Sequence, residues 1–400
     1  MAALLIVAAA ARFENIRTMG MRWVAGDSYW YLKIAKRWVD GNIDLFGTFQ
    51  PLAHVIGALA IRIWGYNDYS IKLAHAGMDT LTVAMIFLTG LMLTRSAWCA
   101  LVPAFAYSFL PQVLTMIRDE MVHSPTSTFV IGSTVVFILY RRALVRNRSI
   151  RFTLLPLAAM LLSGAFHLHP LMALAAPPFV LTIILLHLER KPLRQGLTLG
   201  ALDAAIYTLA YFAPFAFTAA YFGWDETLSV LTNRYDLQYE RAEAPAEVLE
   251  DSRFGVFYLV LLRSVLRLTG SRIWLALFAA SMVIAAWRVV RRRGDDPIVH
   301  LPALIVLSFA ALYAAMFPGF NEQKARHFIP YLPFVFISIA HWIGVAAESV
   351  HSRMKGPAMV GLLALGATIL PFALPGGDFL AQRSLYRIIF DRFGSKVDEE

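Results

Sequence analysis

Apolar runs long enough to cross a bilayer dominate this sequence, separated mostly by short polar interruptions. They fall near residues 72–94, 97–116, 122–140, 152–166, 170–187, 197–222, 273–290, 298–318, 328–347 and 357–374. A spanning helix needs roughly 20 predominantly apolar residues. A shorter run, Met1–Ala11, comes first. No basic segment precedes it and Arg12-Phe13-Glu14 makes a poor signal-peptidase site, so it is read as part of a first span, shortened or extended through Ile16. The expectation is an all-α, polytopic integral membrane protein with about eleven transmembrane helices. Composition agrees: 58% of the 400 residues are hydrophobic and 16% charged, against about 45–50% and about 25% in soluble domains. One transmembrane domain over 1–375 and a short amphipathic tail over 376–400 account for the chain, with no repeat and no separate soluble domain.

The net charge of +9 does not point to nucleic acid, because the basic residues sit in short loops between apolar runs. Arg141, Arg142, Arg146, Arg148 and Arg151 share one loop. Arg190, Lys191 and Arg194 follow on the same side, then Arg288, Arg291, Arg292 and Arg293, then Arg353 and Lys355. The positive-inside rule makes these loops cytoplasmic. Residues 254–268 are apolar but carry Arg263 and Arg267, and a crossing there would move the Arg288–Arg293 cluster outside. They are expected to form an interfacial or re-entrant helix on the outer side. The outer face then holds the loop from about 20 to 70, Arg118–Met121, His167–His169, the segment 223–272 and Phe317–His327. Its 223–252 part carries eight acids against Arg234 and Arg241. A lone cysteine, Cys99, excludes an internal disulfide and a cysteine metal cage.

Four groups of ionisable residues gather on that face. Asp27 opens an amphipathic stretch in which Trp30, Tyr31, Ile34, Ala35 and Trp38 share one side and Lys33, Lys36, Arg37 and Asp40 the other, a pattern suited to the bilayer surface. Asp27 is placed both to cap that helix and to act as a catalytic base. Arg118-Asp119-Glu120-Met121-Val122-His123 sets two adjacent carboxylates at a membrane boundary. They read as a solvated loop with an Arg–Glu pair, or as acids bordering a site, able to hold a divalent ion or orient a hydroxyl. His167 and His169, before Pro170, could bind a metal but lack a local third ligand, so head-group hydrogen bonding or turn chemistry is the favoured reading. Lys324, Arg326 and His327 stand where a loop enters a span, as a phosphate site or as side chains snorkelling to lipid phosphates. Within spans, His75 and Asp79 lie four apart and read as a structural pair, and Asp203 is similarly embedded.

Three blocks of the sequence resemble the GT-C glycosyltransferases of the dolichyl-phosphate-mannose protein mannosyltransferase and aminoarabinose transferase type. The first is Asp27, Tyr31, Ala35 and Gly41, continuing to Pro51-Leu52, Gly65 and Ile71-Lys72-Leu73. The second is Leu110-Pro111 with Arg118-Asp119-Glu120. The third is Arg326-His327-Phe328-Ile329-Pro330-Tyr331-Leu332-Pro333. They occur in the family's order and cover most of the chain. Ser28 stands where a second acid is frequent and His327 where tyrosine is common. No counterpart of the extramembrane C-terminal domain of many relatives is expected within these 400 residues, and Gly223-Trp224-Asp225-Glu226 only faintly echoes the Trp-Trp-Asp motif of oligosaccharyltransferases.

The resemblance implies transfer of a sugar from a polyprenyl-phosphate donor to a hydroxyl of a lipid, glycan or protein acceptor, on the non-cytoplasmic face of the plasma or inner membrane. Asp27 would be the general base, with inversion at the anomeric carbon. Asp119 and Glu120 would orient the acceptor or steady the transition state. Lys324, Arg326 and His327 would hold the departing phosphate, and Tyr31, Arg118, His123, His167 and His169 would line the substrate groove. No cofactor is implied, and Asp119 with Glu120 is where a divalent metal would contradict that. A lipid-linked glycan ligase or polymerase shares this chemistry. A transporter or flippase would instead use midplane groups, for which only His75, Asp79 and Asp203 qualify.

Overall fold

A computed structural model describes residues 1–13, 16, 27–45, 49–67, 69–110, 113–114, 122–243, 253–291, 295–317 and 322–369. Within its helices, the side chains of 27–29, 234–243, 253–254, 259, 322–325 and 364–369 lie outside that description. Every regular element among the described residues is helical. The order begins with α1 (Ala2–Phe13), α2 (Asp27–Val39), α3 (Pro51–Trp64), α4 (Ser70–Thr94) and α5 (Ala97–Ser108). It continues with α6 (His123–Val145), α7 (Arg151–Leu168), α8 (Ala176–Arg190), α9 (Leu193–Phe222) and α10 (Trp224–Glu243). Next come α11 (Arg253–Tyr258) and α12 (Ser264–Thr269), joined by the π-helical turn Leu259–Arg263. The last are α13 (Arg272–Val290), α14 (Leu301–Met316), α15 (Leu332–Val350) and α16 (Lys355–Ile369). The 3-10 segments Pro170–Ala175, Pro297–His300 and Glu322–Tyr331 lead into α8, α14 and α15.

Among the described residues eight helices, α4, α6, α7, α8, α9, α13, α14 and α15 with their 3-10 lead-ins, are long and apolar enough to cross a membrane. The chain is a multi-pass membrane protein. The three other expected spans fall on α1, α5 and α16, which have 12, 12 and 15 residues, short of the roughly 20 that spanning requires. The expected path of the second continues into residues outside the described set, and α16 ends at the last described residue. Residues 254–268 are helical and are not among the eight spans. Val256, Val260, Val265 and Leu268 are buried there, so this run is packed into the bundle rather than lying free on a surface.

Lipid tails are as apolar as leucine, so helices in a bilayer associate through close packing and hydrogen bonds rather than through burial from water. Gly196 and Gly200 let α9 approach α8 closely. A Cβ at Gly196 would stand 3.0 Å from the His187 carbonyl oxygen, and one at Gly200 3.1 Å from the Ile184 Cα. Between α4 and α6, Thr82 and Thr128 share a hydroxyl hydrogen bond of 2.8 Å, and Thr128 also donates to the Met78 carbonyl at 3.0 Å.

The arginine-rich loops meet at one end of this bundle. Arg190 donates to the carbonyls of Leu144 (2.7 Å) and Val145 (3.1 Å), and Arg142 to that of Met92 (3.2 Å). Arg141 pairs with Asp296, and Arg288 grips both oxygens of Asp295 at 2.6 Å. Helix α6 runs from this end to His123, about 34 Å away at 1.5 Å per residue.

At the His123 end, α2 and α3 form an amphipathic layer. Leu32, Ile34 and Ala35 of α2 are buried while Lys33, Arg37 and Asp40 face outward. Lys36 pairs with Asp40 one turn on. The buried face docks on Ile61 of α3 and Ile71 of α4. Gly41, at φ +87°, ends the helix in a conformation that strains any residue with a Cβ. The chain then returns to bury Phe49 among Phe166, His167 and Phe215, with ring centroids 5.3–5.6 Å apart.

Candidate functional site

Three histidines from separate elements converge at the end of the bundle opposite the arginine loops. His123 is the first residue of α6. His169 follows the last turn of α7 in an extended conformation, φ −151° and ψ 109°. Pro170 causes this, because a proline ring disfavours helical geometry in the residue before it. His327 lies in the 3-10 segment Glu322–Tyr331. The ring centroids are 5.3 Å apart for His123 and His169, 5.4 Å for His123 and His327, and 4.7 Å for His169 and His327. All three side chains are buried, and one ring nitrogen of each lies within 4.8 Å of the others. Among the described residues this is the group with metal-ligand spacing, whereas the sequence directs attention to Asp119 and Glu120.

The extended backbone at His169 also separates it from His167, two residues earlier in the chain. The His167 Nδ1–H donates to the Ser163 carbonyl at 2.7 Å, and Nε2 lies 3.3 Å from the Thr218 hydroxyl. His167 is thereby fixed between α7 and α9, under Phe49, and does not join the triad.

Arg326, adjacent to His327, is half-buried. Lys324 lies in the same 3-10 segment, with its side chain outside the described residues. Arg118, Asp119 and Glu120 are themselves outside the described residues. Asp27 is the first residue of α2, its side chain likewise outside them.

Helix α2 is nevertheless tied to the histidine end through its neighbours. The Tyr31 hydroxyl donates to Gln50 Oε1 at 2.7 Å, and Gln50 adjoins the Phe49 ring that packs on His167. His54 of α3 is buried against Trp30 and Trp38, at 5.9 and 5.5 Å between ring centroids. Burial lowers its pKa to about 4, so this imidazole is neutral near pH 7.

The ionisable groups inside spans are engaged elsewhere. His75 and Asp79 do not form the expected pair. Both oxygens of Asp79 are taken, by Arg12 Nε at 2.6 Å and by the Tyr107 hydroxyl at 2.8 Å. Asp203 Oδ2 accepts from the Tyr140 hydroxyl at 2.5 Å and faces His187 Nε2 at 2.9 Å. Helical spacing could not reveal these partners, which lie 16–67 residues away in sequence.

Solved membrane transferases share this arrangement of helices. ArnT from Cupriavidus metallidurans bound to undecaprenyl phosphate superposes with a TM-score of 0.59 at 15% identity, over 96% of this chain and 67% of that one. The fold is that of the GT-C glycosyltransferases. The Archaeoglobus fulgidus oligosaccharyltransferase in the apo form gives 0.55 at 14% identity, over 95% of this chain and 55% of that one. The archaeal oligosaccharyltransferase AglB from the same organism, in complex with an inhibitory peptide and a dolichol-phosphate, gives 0.52 at 13%, over 92% and 54%. The chain thus spans between about half and two thirds of the length of these GT-C proteins. No protein-family profile matches the sequence and no curated protein matches it significantly.

Proposed function

We propose that this chain is a membrane glycosyltransferase that moves a sugar from a polyprenyl-phosphate donor to an acceptor hydroxyl on the non-cytoplasmic face of the cell membrane. The observation that carries the reading is the meeting of His123, His169 and His327, with Arg326 beside them, at the end of a GT-C fold opposite its arginine-rich loops. Two GT-C proteins of similar fold are solved with undecaprenyl phosphate and with a dolichol-phosphate, which supports the donor class. The acceptor is a lipid, glycan or protein hydroxyl.

In this mechanism Asp27 removes the acceptor proton as the hydroxyl oxygen bonds to the anomeric carbon. The bond from that carbon to the phosphate oxygen breaks, and attack from the opposite face inverts the carbon. Lys324 and Arg326 hold the phosphate and stabilise the negative charge it takes away. Asp119, Glu120 and Arg118 orient the acceptor, and Tyr31 lines the groove from the amphipathic layer. A transporter needs mobile ionisable groups near the midplane; Asp79 and Asp203, the acids available for that role, are already committed to Arg12, Tyr107, Tyr140 and His187.

The test is turnover of radiolabelled polyprenyl-phosphate sugars by the purified protein in nanodiscs, wild type beside Asp27→Asn. Release of polyprenyl phosphate by the wild type alone, with equal thermal stability of the two proteins, is the expected result. Failure of every donor to bind a folded wild-type protein would overturn the reading.

A further inference from the structure

We propose that His123, His169 and His327 form a binding site for one transition-metal ion, zinc foremost. The sequence holds 10 histidines in 400 residues, and three of them, from three separate elements, meet with ligand nitrogens within 4.8 Å of one another. Aromatic packing alone requires only that ring faces and edges touch; it does not require three imidazole nitrogens to share one small volume.

The geometry and the donor type select the ion. Zinc binds imidazole nitrogen at about 2.0–2.1 Å in a tetrahedral arrangement. Two nitrogens on one zinc therefore stand about 3.3 Å apart. Closing the widest gap here, at most 4.8 Å, takes about 1.5 Å of ring movement, within reach of small side-chain rotations on three elements. Three neutral nitrogens suit zinc, copper, nickel or iron, whereas magnesium and calcium favour oxygen ligands. Three protein ligands leave a fourth position for an oxygen donor. His169 lies just beyond the C-terminal end of α7, where the helix dipole favours a cation.

Metal content, read without any turnover, decides the proposal independently of the transferase reading. The full chain, purified in nanodiscs, would be stripped with chelator and equilibrated with cobalt(II) as a spectroscopic stand-in, and with zinc for elemental analysis. The expected results are about one zinc per chain and a visible cobalt ligand-field band of tetrahedral intensity. His327→Ala should lose both, and His351→Gln, an exposed histidine at the arginine end, neither. Should His327→Ala fail to fold, His169→Cys decides: a thiolate on the metal adds a near-ultraviolet sulfur-to-cobalt charge-transfer band only if position 169 is a ligand. A folded wild-type protein that takes up no metal overturns the proposal. So does metal uptake that survives His327→Ala together with a His169→Cys protein lacking the new band.

Discussion

Arg12 and Asp79 form an ion pair with no exposure of either side chain, Nε donating to Oδ2 at 2.6 Å. The same guanidinium donates through Nη1 to the carbonyls of Ala8 (3.0 Å) and Ser108 (3.1 Å), so one side chain joins α1, α4 and α5. Removing one member of a buried pair leaves an uncompensated charge and costs about 3–5 kcal/mol. Arg12→Met is expected to lower the thermal midpoint in detergent markedly, and Asp79→Leu to do the same. The double variant Arg12→Met with Asp79→Leu should recover most of the loss, since replacing a whole buried pair by apolar groups is close to neutral. Thermal unfolding of the four proteins checks this; losses that simply add would contradict it.

Helix α2 rests on α3 at a contact that admits no larger group. A Cβ on Gly57 would stand 2.8 Å from the Ala35 Cβ, closer than real carbon contacts allow. Gly57→Ala is expected to lift α2 from its seat at a cost of about 1–3 kcal/mol, the usual range for overpacking. Because α2 carries Asp27 and Tyr31, transfer activity should fall more than global stability does. Adding Ala35→Gly returns the missing space and should restore activity in the double variant. A double-mutant cycle on turnover, with thermal unfolding in parallel, measures the coupling.

Arg326 is expected to act on the donor phosphate. A hydrogen bond to a charged group contributes about 1.5–3 kcal/mol, so Arg326→Ala should raise KM for the polyprenyl-phosphate sugar roughly 10- to 150-fold. Arg326→Lys should recover only part of this, because an ammonium lacks the planar fork that matches two phosphate oxygens. Steady-state kinetics against donor concentration provides the measurement. Unchanged KM in Arg326→Ala would remove this residue from the phosphate site.

The sidedness of the bundle was legible in the sequence because it is a property of composition. Counting arginines in alternate loops placed Arg141, Arg190 and Arg288 on one face, and contacts such as Arg190 with Leu144 bring those loops to one end. The amphipathic face of α2 was equally legible, since periodicity alone divides Ile34 and Ala35, which are buried, from Lys33 and Arg37, which are exposed. Periodicity gives faces, however, and not partners. It could not choose Arg12 over His75 as the companion of Asp79, because that choice is made by the packing of α1 against α4. The different fates of His167 and His169 have a local cause that was present in the sequence: Pro170 turns the backbone at His169 out of the helix, and the two rings go to different neighbours.

Acid sensitivity should enter through His54. Its ring is buried against Trp30 and Trp38, with no hydrogen-bond partner for either nitrogen among the described residues, and desolvation lowers its pKa from 6.5 to about 4. Between those values the unfolded chain binds the proton and the folded one does not, so stability falls as pH drops. The full contribution is present above about pH 6.5, and up to about 1.4 kcal/mol is lost per pH unit on the way down to about pH 4. The strain falls on the contact between α2 and α3, where protonation would force a charged ring among indoles. The wild-type thermal midpoint should therefore decline from pH 6.5 to 4.5 more steeply than that of His54→Phe, which keeps an aromatic ring and cannot titrate. Tryptophan fluorescence over the same range should report loosening around Trp30 and Trp38 in the wild type alone. Parallel pH profiles for the two proteins would remove His54 as the source.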